Sequence, residues 1–188
     1  MARRLVSAAF LSALLLALPA AVAAGGGGTG LAGGGTTLWQ LPGRFVDEHE
    51  RAHTLANFAG QPAVVAMEYS ECRFVCTVNW RKLVEIQAEA ERRGQKLSFF
   101  VISIDPEHDT PALWREYREM RGMKRDNWHF LTGKRADTDL VAKTLGIRWW
   151  LYDGRVMHDF RILRLDARGQ VLRAMDAFDI SAASFLAD

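Results

Sequence analysis

The chain of 188 residues contains two cysteines, Cys72 and Cys76, and they stand four apart. At the start of a helix that spacing puts both on one face. Exposed backbone N–H groups and the positive end of the helix dipole favour thiolate there, and thiolate is both the nucleophile and the metal-binding form. Arg73, between them, pushes the same way. The three-residue spacer is one longer than the redox Cys-x-x-Cys motif; it permits a disulfide with some adjustment and suits two soft ligands on one ion. A pair of buried hydrophobic cysteines is the bland alternative. A disulfide scaffold is excluded, because it needs several bridges closing long loops. A peroxide-reducing cysteine lacks its usual Thr three residues upstream, where Tyr69 and Arg73 stand. Two thiolates on copper need a third donor, so the five histidines become candidates: His49, His53, His108, His129 and His158.

The elements that must position these groups follow from pattern. Residues 38–61 carry turn signals around short apolar pieces and predict a small N-terminal β-hairpin. Ala63–Tyr69 is an apolar run suited to a buried parallel strand. From Val75 to Arg93 the period becomes helical, with Val75, Val78, Leu83, Ile86 and Ala90 near one face and Gly94 as the stop. Leu97–Ile104 is the second β-rich run. Thr110 or Asp109 can cap a helix that begins at Pro111 and runs to about Arg121. Trp128–Leu131 reads as a strand, Asp137–Leu145 as a helix stopped by Gly146, and Ile147–Tyr152 as another strand. Arg161–Leu165 and Gln170–Ala174 flank the hairpin turn Asp166–Gly169, and Ile180–Leu186 is a short last helix. This order predicts an α/β fold, a mixed sheet with helices on both faces. Cysteines just after the first core strand, opening the first long helix, are placed as in thioredoxin-like folds.

Within that fold the histidines separate. His49 and His53 lie in a turn-rich segment and read as surface residues. His129 sits inside a strand pattern and reads as structural. His108, in the Asp105–Pro111 loop at a strand's C-terminal end, is a distant candidate. His158 follows Asp153-Gly154 and precedes the final hairpin, where the loop of a thioredoxin-like sheet faces the cysteine pair. Dithiol oxidoreductases normally place a cis-proline there; this chain has no proline after Pro111 and offers an imidazole instead. Asp105 and Asp109 read as a turn and helix cap, or as hydrogen-bond partners behind the ligands. Met157 reads as a packed hydrophobe or a thioether donor, and the arginines from Arg161 to Arg173 as the solvated face of the hairpin.

Three segments together, Cys72-Arg-Phe-Val-Cys76 after an apolar strand, Ile102–Pro111 with its Asp-Pro and Asp-Thr-Pro, and His158 before Ile162–Gly169, make the chain resemble the Sco/SenC family of copper-binding cytochrome oxidase assembly proteins. The resemblance spans about Leu41 to Met175. It departs from the family where Arg73 and Thr77 replace prolines beside the cysteines, and where Met157 and Asp159 flank the histidine. It implies copper, Cu(I) or Cu(II), bound by Cys72, Cys76 and His158, with Cys72 and Cys76 a redox-active pair when oxidised. Soft thiolates select Cu(I), imidazole accepts either state, and zinc could take the same set with a water. The resemblance implies a metallochaperone that passes copper to the dinuclear site of an oxidase subunit, or exchanges it with another copper carrier. The alternatives are an enzyme, a thiol-disulfide reductase that keeps the recipient's cysteines reduced, and an interaction module without chemistry.

Residues 1–24 carry Arg3-Arg4, an apolar run around Leu5–Leu18, Pro19 and a small-residue end, the pattern of an export signal; residues 5–24 could instead be retained as a membrane tether. No cysteine stands at the cleavage point, which excludes a lipoprotein anchor. Either reading sends the rest out of the cytoplasm, into the periplasm or onto the outer face of the inner membrane. The whole chain has 24 Lys and Arg against 22 Asp and Glu; without Arg3 and Arg4 the count is 22 of each. No net positive field remains to attract nucleic acid. Residues 25–37 are a Gly-rich flexible linker, and 38–188 form one well-cored domain expected to be a monomer.

Overall fold

Ala63–Glu68, the first long apolar run, is a strand with all six residues buried. The computed structural model describes residues 36–71 and 75–187, and the side chains of Val75 and Cys76 lie outside that description. The expected leader 1–24 and nearly all of the linker also lie outside it. The described residues belong to one compact unit.

The strands are β1 (Phe45–Asp47), β2 (Ala52–His53), β3 (Ala63–Glu68), β4 (Ser98–Ser103), β5 (Trp128–Gly133), β6 (Trp149–Tyr152), β7 (Arg155–His158), β8 (Ile162–Leu165) and β9 (Val171–Met175). The helices are α1 (Val75–Arg92), α2 (Pro111–Met120), α3 (Arg135–Leu145) and α4 (Ala182–Phe185). Seven strands form one mixed sheet in the order β2-β1-β5-β4-β3-β8-β9. β3, β4 and β5 run parallel, while β1 and β8 join antiparallel on either side. The expected N-terminal hairpin exists and continues this sheet, because β1 pairs with β5.

Strand alternation sends successive β3 residues to opposite layers. Val64 and Ala66 pack with Leu83, Ile86 and Ala90 of α1, Trp114 and Tyr117 of α2, and Phe185 of α4. Ala63, Val65 and Met67 pack with Val141, Ala142 and Leu145 of α3 and with Leu38 and Trp39. Burying both faces explains why this strand reads as a continuous apolar run. α2 starts as expected: Thr110 Oγ1 accepts the Leu113 N–H at 3.2 Å and Pro111 takes the first turn. α3 ends at Gly146, whose φ of +66° closes the helix in the left-handed conformation.

Two expectations change. Ile147–Tyr152 is not a strand of the main sheet: β6 spans Trp149–Tyr152 and pairs only with β7, forming a separate ribbon about Asp153-Gly154. That turn holds both residues at positive φ, which the Asp-Gly pair tolerates. The arginines of the last hairpin are not simply solvated. Arg164 Nη1 donates to the Ala187 carbonyl at 3.0 Å and Arg173 Nη1 to that of Ser184 at 2.6 Å, tying the short α4 region to the sheet.

Candidate functional site

The parallel strands β3 and β4 end side by side, and residues 69–71, the loop 104–110 and the β6–β7 ribbon meet beyond them. His158 is the last residue of β7, opposite Trp149 in the ribbon register, and only 5% exposed. Its ring meets that of Tyr69 edge-on, 6.2 Å between centroids. Tyr69 stands three residues before Cys72, so the ribbon brings the predicted imidazole to the segment that leads into the cysteine pair. Cys72 lies with Arg73 and Phe74 outside the described residues. Cys76 is the second residue of α1.

The His158 ring is oriented from behind. Its Nδ1–H donates to the Asp159 carbonyl at 2.9 Å, which selects the neutral tautomer with the lone pair on Nε2. Burial holds its pKa below the ordinary imidazole value, against the favourable pull of the Asp159 carbonyl and carboxylate. A buried, neutral, backbone-oriented imidazole is the form that binds metal. Asp159 is in turn clamped by Arg148, whose Nε and Nη2 reach its two carboxylate oxygens at 2.9 and 3.0 Å.

The other histidines are committed elsewhere. His108 is 73% exposed, with Nδ1 2.9 Å from Asp105 Oδ2, and that hydrogen bond raises its pKa toward the protonated, non-ligating form. His53 is not a bare surface residue: its Nε2 lies 2.8 Å from Oδ2 of the buried Asp47. His129 stacks on Phe100 with 4.9 Å between centroids and packs near Phe58, a structural role. His49 is exposed at the hairpin. Among the described residues no three His, Cys, Asp or Glu side chains form a metal-holding group, so a second site does not compete there.

Asp109 is neither the helix cap nor a surface group. It is buried, and its Oδ1 accepts the Ser70 N–H at 2.8 Å while its Oδ2 accepts the Ser103 hydroxyl at 2.5 Å. Ser103 Oγ also accepts the Asp105 N–H at 3.1 Å. Through these bonds one carboxylate fastens the start of the cysteine loop to the end of β4. Burial raises its pKa, against its hydrogen bonds. An open cleft of about 510 Å³ lies alongside, lined by Tyr69, Glu71, Asp105, His108, Arg155 and Val156.

Pattern reading missed this serine–aspartate fastening, the Tyr69 contact and the buried Glu68. A lone carboxylate inside the apolar run 63–69 was the available signal for Glu68; Ser70 and Ser103 carried none.

The fold has known counterparts. Arabidopsis thaliana ScoI with copper bound superposes with a TM-score of 0.67 at 19% identity, covering 77% of this chain and 90% of that one. A SCO1/SenC family lipoprotein from Bacillus anthracis gives 0.68 at 20% identity, covering 77% and 88%. BsSco, a member of the Sco family of cytochrome c oxidase assembly proteins in which a disulfide switch was identified, gives 0.64 at 18% identity, covering 77% and 91%. At these identities the likeness establishes the shared thioredoxin-like fold. No curated protein sequence matches the chain. The sequence pattern of SCO1/SenC matches residues 36–188, the whole folded domain, and the chain belongs to the SCO1/SenC family.

Proposed function

We propose that this protein is a copper carrier of an exported compartment that binds the ion through Cys72, Cys76 and His158 and passes it to the dinuclear copper site of an oxidase subunit. The observation that carries the reading is His158: buried, neutral, oriented through Nδ1 and packed on the segment leading to Cys72. The donor chemistry fits the cargo. Two thiolates and one imidazole form a soft, three-coordinate set for Cu(I), and the imidazole also accommodates Cu(II). Membership in the SCO1/SenC family and the fold shared with a copper-bound ScoI support the same assignment. Transfer would proceed by ligand exchange, the recipient's donors replacing the three carrier ligands one at a time while the ion stays coordinated.

A leader at residues 1–24, cleaved or kept as a tether, would place the domain in the periplasm or on the outer face of the inner membrane. Among the described residues no helix is long and apolar enough to cross a membrane. A second reading, a thiol-disulfide reductase acting on the recipient's cysteines, draws support from the disulfide switch of BsSco. One variant separates the two. His158→Ala should abolish tight copper binding in a competition titration while Cys72 and Cys76 still form a disulfide. Full copper affinity in that variant would remove His158 from the site, and reductase activity at the wild-type rate would favour the second reading.

A further inference from the structure

Glu68 is a carboxyl in a place that penalises charge. It is the last residue of β3 and fully buried. Its Oε2 accepts the Tyr117 O–H at 2.8 Å, and its Oε1 has no hydrogen-bond partner among the described residues. Asn79 of α1 lies close enough to favour its charged form, yet neither Asn79 Oδ1 nor Nδ2 makes a bond of ordinary geometry among those residues. From α2, Tyr117 faces it, and the nearby cation is Arg121, whose guanidinium lies over the Trp80 and Tyr117 rings at 5.0 and 4.4 Å. From β4, its register partner Ser103 gives its hydroxyl to Asp109. A carboxyl needed only for packing would be replaced there by an apolar side chain at lower cost.

Its position gives it another use. Glu68 stands four residues before Cys72, and its neighbour Asn79 lies three residues after Cys76 on α1, a rise of about 4.5 Å. Both arms of the cysteine pair therefore start within a turn or a short loop of this carboxyl. Binding a metal ion to two thiols releases two protons, and each needs an acceptor.

Building on the copper-carrier reading, we propose that Glu68 is the proton acceptor of the dithiol site. As copper binds, a thiol S–H bond breaks, an S–Cu bond forms and the proton passes to the Glu68 carboxylate; the second thiol proton leaves to solvent and no electron moves. The buried region then carries the same total charge before and after that transfer. Burial pushes the Glu68 pKa up to about 7, opposed by the Tyr117 hydrogen bond, Arg121 and Asn79, so the group exchanges protons in the range where a thiol begins to ionise.

The test uses the reduced, metal-free full chain, so it does not depend on copper. Alkylation by iodoacetamide is followed from about pH 5 to about pH 9, spanning the ordinary carboxyl and thiol ranges. Wild type should show two inflections, because a carboxyl and a thiol that repel when both are ionised titrate in two steps. Glu68→Gln should show one, with the thiol ionising at lower pH, and Tyr117→Phe should move the lower inflection up. Proton release on Cu(I) addition provides the second readout: above pH 7 wild type should release about one proton per copper and Glu68→Gln about two. An unchanged alkylation profile in Glu68→Gln overturns the proposal. A chain that takes no copper but loses the lower inflection in Glu68→Gln would retain the proposal and overturn the carrier reading.

Discussion

Glu68 also makes a quantitative prediction about stability. An ordinary glutamate titrates near 4.5, and this one titrates at about 7 when folded. At about 1.4 kcal/mol per pH unit, the difference amounts to about 3 kcal/mol. Below pH 4.5 both folded and unfolded chains hold the proton and the group costs nothing. Between 4.5 and about 7 the folded chain keeps a proton that the unfolded chain has released, so stability falls as pH rises. Above about 7 the full penalty is present. Glu68→Gln keeps an acceptor for the Tyr117 O–H and cannot ionise; its added amide N–H can be accepted by the neighbouring Asn79 Oδ1, which has no hydrogen-bond partner among the described residues. Urea unfolding of the reduced, metal-free chain at about pH 5 and about pH 8 measures the effect. The stability difference between variant and wild type should grow by about 2–3 kcal/mol in favour of the variant across that interval, a shift of about 1 M or more in midpoint. Other titrating groups cancel in the comparison. Parallel pH dependence of the two proteins would refute the reasoning.

Two further substitutions separate site from scaffold. Asp109→Ala removes the acceptor of the buried Ser70 N–H and Ser103 hydroxyl and should cost about 2–3 kcal/mol by thermal or urea unfolding. It should also weaken copper binding in a competition titration, because the loop toward Cys72 loses its fastening, whereas Asp109→Asn should keep part of both. Gly169→Ala acts at the opposite end of the sheet: Gly169 has φ of +80°, and an added Cβ would sit 2.7 Å from Trp39 Cδ1. It should cost about 1–3 kcal/mol while copper affinity stays at the wild-type value, which the same titration checks.

How much of this was legible in the chain depends on how local the cause is. The helix beginning at Pro111 was visible because its cap and first residue are adjacent and the capped N–H is three positions on, and the Asp166–Gly169 hairpin because its turn chemistry sits between two β-rich runs. β3 was visible because burial on both faces leaves five apolar residues in a row, Ala63 to Met67. The β6–β7 ribbon was only half visible: β6 is aromatic, but a strand's partner is not encoded in its own composition. The cap reading of Asp109 and the solvated reading of the last arginines failed for a related reason. Each side chain bonds to backbone that is distant in sequence or belongs to another element, and a sequence pattern records only its neighbours.

The sequence by itself determined the candidate donors, their order along the chain and the family to which the chain belongs, since two cysteines four apart, an Asp-Thr-Pro helix start and one late histidine are local facts. Tertiary structure decided which histidine is suited to the metal and what stands behind it. His158 and His108 are the same imidazole in isolation; burial holds one neutral while a backbone carbonyl fixes its tautomer, and exposure beside Asp105 draws the other toward protonation. Glu68 is an ordinary glutamate in the chain and becomes a near-neutral titrating group only because folding encloses it between β3, α1 and α2. Protonation depends on desolvation and on neighbouring charge, and both are set by residues far apart in sequence.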